Sequence, residues 1–305
     1  MNDLIKDIKS LELETIKNLR NSKSANTLRA YQSDYNDFSL FCSKNGFQEM
    51  PTQPKILALY ITHLSSYSKY STLKRRLASI SILHKTKGHY IDMKHPIIME
   101  NLMGIKRING SNQKGKKPLL INDLKILINA IHQSNEKDKR KIRDKALVLI
   151  GFSGGFRRSE LVDVEYEDLE FVSEGVKIFV KRSKTDQSGE GMTKAIPYFD
   201  NEKFCPVIAL KNWIEIFDLK NRRIFNISDK SVALIIKKYA KYAGLDSHRY
   251  AGHSLRSGFA TSTAESGAEE RNIMAMTGHK SREMVRRYIK EANLFKNNAL
   301  NKIKI

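Results

Sequence analysis

The sequence contains little cysteine, proline or tryptophan and no long apolar run. Its 305 residues include two cysteines, six prolines and one tryptophan. Cys42 and Cys205 lie far apart in apolar, helical contexts, which predicts buried thiols in a reducing compartment and argues against a disulfide or a metal site. No apolar stretch approaches the ~20 residues that a membrane span needs, and the N-terminus has no basic segment followed by an apolar one. We therefore expect a cytoplasmic protein with no membrane partner.

Acidic residues are also scarce relative to basic ones. Lysine and arginine number 54 against 33 aspartates and glutamates, a formal net charge of +21. This excess points to a polyanionic partner, and nucleic acid is the first interpretation. In residues 69–117 twelve basic residues face two acidic ones; each alone is more simply a solvated side chain, but the excess favours phosphate contacts. The predicted DNA-backbone contacts are Lys74, Arg75, Arg76, Lys106, Arg107, Lys116, Lys117, Lys237 and Lys241.

Length and patterning favour two domains, since 305 residues suffice for two cores of ordinary size. Apolar residues recur every three to four positions after a Ser24 or Asn26 cap, and prolines or hydroxyl residues open further helices near residues 54, 71 and 96. Gly110 to Pro118 has no apolar residue, which is typical of a linker. We place a helical domain at residues 1–109, a basic linker at 110–118 and a second domain at 119–305. Two basic domains joined in this way are suited to close around a DNA duplex.

The second domain is predicted to be mixed. Two strands, 176–180 and 193–197, flank a polar turn that contains glycine. Helices are expected around this hairpin and along the rest of the domain, at 122–133, 138–152, 158–162, 206–217, 228–243, 254–266, 269–277, from 281 onward and, as a short amphipathic helix, at 292–303. The predicted fold class is mainly α with a small β-hairpin.

His253, Arg256, His279 and Tyr288 fall within 36 residues of one another. His253 and Arg256 are three positions apart, so they share one face at the start of a predicted helix. Arginine holds two phosphate oxygens in a planar fork, and a neighbouring histidine moves a proton near neutral pH. His279 and Tyr288 follow on the next two predicted segments. Each residue alone is more simply a helix cap or a core residue, but the joint pattern favours phosphate chemistry.

These residues resemble the C-terminal signature of the tyrosine recombinase (phage integrase) family. The signature is His-x-x-Arg, then Gly-His, then a tyrosine nine residues after that histidine; the upstream box of the family is matched by Gly155-Phe156-Arg157-Arg158-Ser159-Glu160-Leu161. The order of parts is most similar to Cre-type and Xer-type members. The resemblance implies a SAM-like helical core-binding domain, a mixed α/β catalytic domain, a double-stranded DNA recombination site as partner and a homotetramer on paired sites.

The resemblance implies that Tyr288 is the nucleophile. It forms a 3′-phosphotyrosyl bond, releases a 5′-hydroxyl and leads to exchange through a Holliday junction. The phosphodiester energy stays in the tyrosyl bond, so no ATP is expected, and the sequence has no Gly-x-x-x-x-Gly-Lys-Ser/Thr loop. His253 would take the tyrosine proton. No Asp/Glu cluster at metal-binding spacing competes with this scheme, so no cofactor is expected.

The resemblance implies that two arginines and a histidine bind the scissile phosphate. Arg157 and Arg256 would hold the non-bridging oxygens, and His279 would donate a further hydrogen bond. Gly154-Gly155 ends a predicted helix, so the first arginine lies at a turn before a helix N-terminus, a favourable place for an anion. The Arg157-Arg158 doublet leaves a one-position ambiguity, and the register of the family box favours Arg157. Glu160 would orient Arg157 or His253. The alternative for Glu160 is a solvent-exposed helix acid, and the alternative for Arg157 is a surface salt bridge with Glu160.

The family also carries a catalytic lysine in such a hairpin, where it protonates the leaving 5′ oxygen. Lys181, Arg182, Lys184 and Lys194 compete for this position. We choose Lys184, because it stands where the turn begins and is followed by a hydroxyl residue, as in the family. An ordinary contact to the DNA backbone is the alternative.

The sequence leaves three questions open. A type IB topoisomerase-like enzyme would use the same chemistry as a single active monomer. A non-catalytic DNA-binding accessory protein would keep the fold without cleavage. The predicted C-terminal helix packs either on its own domain or, as the resemblance implies, in a neighbouring subunit; its apolar residues are Leu294, Phe295, Leu300 and Ile303.

Overall fold

The structure, a computed structural model, describes residues 8, 10–15, 17–18, 22–110, 115–183, 186, 189–220, 222–292 and 299–303. The chain divides into two compact units, Met1–Lys114 and Gly115–Ile305. Each has its own hydrophobic core. Lys184, the predicted catalytic lysine, lies outside the described residues, as do Leu294 and Phe295. None of the described helices is long and apolar enough to cross a membrane.

The first unit is a helical bundle, as the apolar periodicity predicts. Its helices α1 to α4 are Ala25–Lys44, Pro54–Ser65, Tyr70–Thr86 and Pro96–Asn109. Ser24 caps α1 by accepting a hydrogen bond from the Thr27 backbone N–H at 3.3 Å, and a proline opens both α2 and α4, where the missing N–H has no partner to lose. The core draws on all four helices: Phe38, Leu57, Tyr60, Ile61, Leu73, Ile80, Ile98 and Leu102.

The second unit is built around a helix that is buried along its C-terminal half. Helix α6 has its last eight residues, 146–153, inside the protein, and it ends at the Gly154-Gly155 turn. The apolar residues of α6 therefore fix the position of the turn that precedes Arg157. The helices of this unit are α5 Ile121–Gln133, α6 Asp138–Ser153, α7 Arg158–Val162, α8 Pro206–Ile216, α9 Asp229–Tyr242, α10 Ser254–Glu265, α11 Glu270–Thr277 and α12 Arg282–Ala292.

A three-stranded antiparallel sheet lies in the same unit. Its strands, in spatial order, are β1 Leu169–Val172, β2 Gly175–Val180 and β3 Met192–Pro197. The hairpin of β2 and β3 was predicted, whereas β1 was missed because four residues are too few for alternation to stand out. On β3 every second residue is buried, which places Lys194 inside the protein, opposite Ile178. The predicted fold class, mainly α with a small sheet, is confirmed.

Two predicted segments differ in detail. Part of the predicted linker is attached to the second unit, because the Lys117 backbone N–H donates to the Arg249 carbonyl oxygen at 2.7 Å and the Lys116 ammonium donates to the His248 carbonyl oxygen at 2.7 Å. The predicted C-terminal helix 292–303 is described only in part. Helix α12 ends at Ala292, and Ala299–Lys302 forms a 3-10 helix.

Both cysteines are buried and unpaired. Cys42 lies in the core of the first unit and Cys205 in that of the second. Their surroundings agree with the prediction of buried thiols.

Candidate active site

Arg157 is positioned by a tight turn and by a buried carboxylate. Gly155 has φ of +55°, a conformation that favours glycine, and the chain then enters α7 with Arg157 as its N-cap. The Glu160 side chain is 3% exposed and accepts hydrogen bonds from the backbone N–H of Arg157 at 3.0 Å and from its Nη1 at 2.5 Å. Glu160 thus orients Arg157, and the alternative of a solvent-exposed acid is wrong.

Arg256 lies in the first turn of α10 and is 1% exposed. Its Nη1 donates to the Gly155 carbonyl oxygen at 3.0 Å, while its buried Nη2 has no hydrogen-bond partner among the described residues. Burial, and then the charge of Arg157, lowers the pKa of Arg256 to about 10. A buried cation with an unused N–H and no carboxylate against it is an incomplete pair, and an anion such as a phosphate would complete it.

His253 and Tyr288 meet although 35 residues separate them. His253 immediately precedes α10, Tyr288 is half-buried on α12, and His253 Nε2 lies 3.2 Å from the Tyr288 hydroxyl. Partial removal of the ring from water, followed by the charges of Arg256 and Arg157, lowers the pKa of His253. The imidazole is therefore neutral at pH 7, and a neutral imidazole can accept the tyrosine proton.

His279 follows the helix end formed by Gly278, whose φ of +64° closes α11 in the left-handed conformation. The Thr277 hydroxyl donates to the Ile273 carbonyl oxygen at 2.6 Å, so it accepts from His279 Nδ1–H at 2.7 Å. This network assigns the proton of the neutral ring to Nδ1. Burial, followed by the charge of Arg256, lowers the pKa of His279 to about 3. Its Nε2 is therefore unprotonated in the DNA-free protein.

A small apolar cluster fixes the helix that carries Tyr288. Val285 of α12 is fully buried against Ala260 and Ala264 of α10 and Ile273 of α11, with Tyr288 packed at the edge. The ring centroids of Tyr288 and His279 are 6.0 Å apart. The sequence-predicted cluster of His253, Arg256, His279, Arg157, Glu160 and Tyr288 is thus assembled from three turns and three short helices.

The hairpin lysines differ in their surroundings. The Lys181 ammonium is paired with Glu165 at 2.6 Å and with Asp168 at 2.9 Å. Lys194 is fully buried and donates to backbone carbonyl oxygens. Both ammonium groups are thus engaged within the protein. Lys184 lies outside the described residues, so its selection stays a prediction.

The predicted DNA-backbone residues divide into two groups. Lys74, Lys106, Arg107, Lys116 and Lys241 are exposed, and Lys237 is half-buried. The other three have acidic partners. Arg75 is paired with Asp34, Arg76 with Asp37, and Lys117 with Asp123 at 2.9 Å.

Sequence reasoning missed Thr277 and the burial of Lys194, which it had considered only as a candidate for the catalytic lysine. Thr277 gave no signal, because its role depends on the turn that follows it. Lys194 gave one signal, its place on the apolar face of a strand that alternates. Within the described residues, no group of three or more His, Cys, Asp or Glu side chains is placed to hold a metal ion.

Comparisons with known proteins identify the family. Residues 119–294 match the model of the phage integrase family. The chain is 41% identical to an integrase/recombinase xerD homolog of Selenomonas ruminantium over 317 residues, which cover 99% of this chain and 92% of that protein. It is 26% identical to the tyrosine recombinase XerC of Syntrophus aciditrophicus, covering 94% of this chain and 93% of that one.

Solved structures share the fold. The XerH recombinase bound to palindromic difH substrate, in a post-cleavage complex, matches with a TM-score of 0.62 and 19% identity over 81% of this chain and 73% of that one. A lambda integrase dimer bound to a COC′ core site matches with a TM-score of 0.60 and 19% identity, and the match covers 96% of this chain and 98% of that one. With these matches, the chain belongs to the phage integrase family, and it is a tyrosine-type site-specific DNA recombinase.

Proposed function

We propose that this recombinase cleaves DNA by attack of the Tyr288 hydroxyl on the scissile phosphate. The tyrosine oxygen bonds to phosphorus, the bond from phosphorus to the 5′ oxygen breaks, and the DNA 3′ end remains as a phosphotyrosyl ester. A 5′-hydroxyl of a second strand reverses the step and yields a Holliday junction. The observation that carries this proposal is the contact of 3.2 Å between the Tyr288 hydroxyl and His253 Nε2. Arg256 Nη2, for which the described part of the chain offers no hydrogen-bond partner, supports it.

The two protons of the reaction have separate carriers. His253 accepts the proton of the tyrosine, because its lowered pKa keeps the ring neutral. The 5′ oxygen is a poor leaving group without a proton, and Lys184 supplies one. Both proton transfers reverse when the strand is rejoined.

The growing charge of the phosphate is held by three side chains. Arg157 and Arg256 bind the non-bridging oxygens, and each donor contributes about 3 kcal/mol to the transition state. His279 must take up a second proton before its Nε2 can donate, since Nδ1 already holds the first. A phosphate placed beside the ring favours this uptake, because a nearby negative charge raises the pKa of an imidazole.

We infer that a DNA duplex is held by exposed cations of both units. Lys74, Lys106, Arg107, Lys116 and Lys241 present ammonium or guanidinium groups to solvent, and the net charge of +21 supports a polyanionic substrate. The three cations that have acidic partners would exchange a carboxylate for a phosphate. We expect them to contribute less to affinity.

We also propose a homotetramer on paired sites, joined by the C-terminal segment of each subunit. Leu300 and Ile303 are 66% and 58% exposed within the single chain. The same unit has an apolar cavity of about 600 Å³ lined by Phe152, Pro197 and Phe259 among others. Seating residues 293–305 of a neighbouring copy there would bury apolar surface. Cleavage would then depend on assembly, since this segment follows the helix of Tyr288.

Substitution of the nucleophile tests the chemistry. Tyr288→Phe should bind a recombination site normally and form no covalent adduct, measured as a band that survives detergent on a gel. Tyr90→Phe, an exposed tyrosine of the first unit (85% exposed), is the matched control. An adduct formed by Tyr288→Phe would overturn the assignment. Unchanged biological activity of that variant would instead favour the accessory protein.

Truncation tests the assembly. Removal of residues 293–305 should leave binding to one site nearly intact and abolish recombination between two sites, measured with paired-site plasmids and by sedimentation. A melting temperature that falls for the DNA-free protein would indicate packing of the segment on its own unit. Recombination at the wild-type rate would rule out docking in a neighbour. Relaxation of supercoils by a monomer, without exchange, would favour the topoisomerase-like alternative.

A further inference from the structure

Lys194 is a buried lysine that the cleavage scheme does not use. It lies on β3, opposite Ile178 of β2, with none of its surface exposed. An ammonium group is costly to bury, and an apolar residue would pack equally well beside Ile178. The charge therefore calls for a reason other than packing of the sheet.

The Lys194 ammonium joins two turns that are distant in sequence. It donates to the Gly154 carbonyl oxygen at 2.8 Å and to the Met276 carbonyl oxygen, and it lies 4.9 Å from the centre of the Phe156 ring. Gly154 begins the turn that presents Arg157, and Met276 lies three residues before His279. One side chain thus connects both backbone segments that place phosphate-binding groups.

The charges around Lys194 make its ammonium sensitive to an anion. Burial is the largest influence and lowers the pKa of Lys194 to about 7. The nearby carboxylate of Glu160 on α7 favours the charged form of Lys194, whereas the charges of Arg256 and Arg157 disfavour it. Lys194 in turn lowers the pKa of His279. No described carboxylate forms an ion pair with Lys194. A bound phosphate adds negative charge to this group and favours the ammonium form.

We propose that Lys194 is a positioning residue for strand cleavage, whose ammonium group holds the Gly154 and Met276 carbonyl oxygens together and so fixes the spacing between the turn of Arg157 and the turn of His279. It does not touch the DNA. This inference rests on the proposed function, because it concerns the geometry of the same phosphate site.

The test compares Lys194→Met with the wild type on a suicide DNA substrate at saturating concentration. The cleavage rate should fall about 100-fold, since a displacement of about 1 Å has an effect of this size. The dissociation constant for DNA should change less than about threefold, because the side chain is far from the surface. Lys177→Met, an exposed lysine on the neighbouring strand, should cleave at the wild-type rate. A Lys194→Met rate within threefold of the wild type would overturn the proposal.

A second substrate separates positioning from proton donation. A bridging 5′ sulfur leaves without a proton, so it rescues a missing general acid. It should not rescue Lys194→Met. Rescue would overturn the proposal by making Lys194 the proton donor. If the wild type forms no adduct at all, the proposed function fails instead.

A second variant keeps the test decisive should Lys194→Met fail to fold. Lys194→Gln retains N–H donors but has no charge. The ratio of the wild-type rate to the Lys194→Gln rate should fall as the pH is raised from about 6 to about 10, because the wild type loses its ammonium form over this range. Purely structural support would give a constant ratio, and that outcome would overturn the proposal.

Discussion

The two units surround the half-buried Arg76 and the buried Arg256 in opposite ways. In the first, Arg76 forms an ion pair with Asp37, and its Nη1 donates a hydrogen bond to the Tyr60 hydroxyl at 2.7 Å. In the second, Arg256 is more deeply buried, and among the residues that the structure describes it has no carboxylate within ion-pair distance and no partner for Nη2. Each arginine has one buried nitrogen without a hydrogen-bond partner among the described residues, but Arg76 is neutralised by Asp37 and Asp34 of its own unit, whereas the charge of Arg256 is left for an anion to neutralise. A buried arginine therefore indicates a phosphate site only where its own unit does not neutralise it.

Of the substitutions that test this contrast, Arg256→Gln should have the largest effect on the cleavage rate. The cleavage rate on a suicide substrate should fall about 1,000-fold, because a preorganised donor to the transition state is lost together with its charge. The melting temperature of the DNA-free protein should not fall, since the folded state disfavours the charged form of Arg256, as its lowered pKa indicates. A large loss of stability with cleavage retained would show that Arg256 is a structural residue like Arg76.

The hairpin lysines extend the comparison from arginine to lysine. Lys184→Ala should lower cleavage about 100-fold, and a bridging 5′ sulfur in the substrate should restore the rate, because the missing proton is no longer needed. Lys181 is held by Glu165 and Asp168, so Lys181→Ala should lack this pattern. Rescue of Lys181→Ala by the sulfur substrate, without rescue of Lys184→Ala, would transfer the role to Lys181.

The sequence was sufficient for those parts of the molecule that depend on local signals. Ser24, Pro54 and Pro96 opened helices where they were expected, because caps and proline act within a single turn. The structure brings His253 and Tyr288 together as their motif predicts. Motif spacing carries this information, since it reflects a shared family geometry.

Long-range pairing was not accessible from the sequence. Arg75 and Arg76 were selected as DNA contacts from a basic run, yet their partners lie about forty residues earlier. Lys194 looked like one more lysine of a polar hairpin, and its burial depends on the packing of α11 and the Gly154 turn over β3. A run of basic residues predicts contacts with the DNA backbone only where the fold does not place an acidic side chain beside it.

Arg76→Gln should show the opposite behaviour to Arg256→Gln. Its loss removes hydrogen bonds to a charged group, which should lower the free energy of unfolding of the first unit by ~1.5–3 kcal/mol. Cleavage at saturating DNA should stay near the wild-type rate. Chemical denaturation and suicide-substrate assays on the same preparation measure both. A loss of cleavage with unchanged stability would make Arg76 a functional cation and remove the contrast between the units.

The last comparison concerns binding and cleavage least: it is a dependence of the stability of the second unit on pH. The pKa of Lys194 is about 7 in the folded, DNA-free protein and about 10.4 in an unfolded chain. Between these values the unfolded state binds more protons, so the free energy of unfolding should rise with pH, by at most about 1.4 kcal/mol per pH unit. Below about pH 7 both states hold the proton, and this contribution is constant.

The single tryptophan makes this effect measurable. Trp213 is buried in the second unit, so its fluorescence during denaturation reports on that unit and not on the first. Lys194→Met should reduce the rise in stability between about pH 7 and about pH 10, leaving the part that comes from Lys145, whose pKa is also lowered by burial. It should not affect the slope below pH 7. In that range the pKa of His279 is about 3 in the folded protein and about 6.5 in an unfolded chain, so the free energy of unfolding rises with pH between these values. An identical slope in wild type and Lys194→Met would mean that Lys194 keeps an ordinary pKa, and that the second unit, like the first, neutralises its buried cations without DNA.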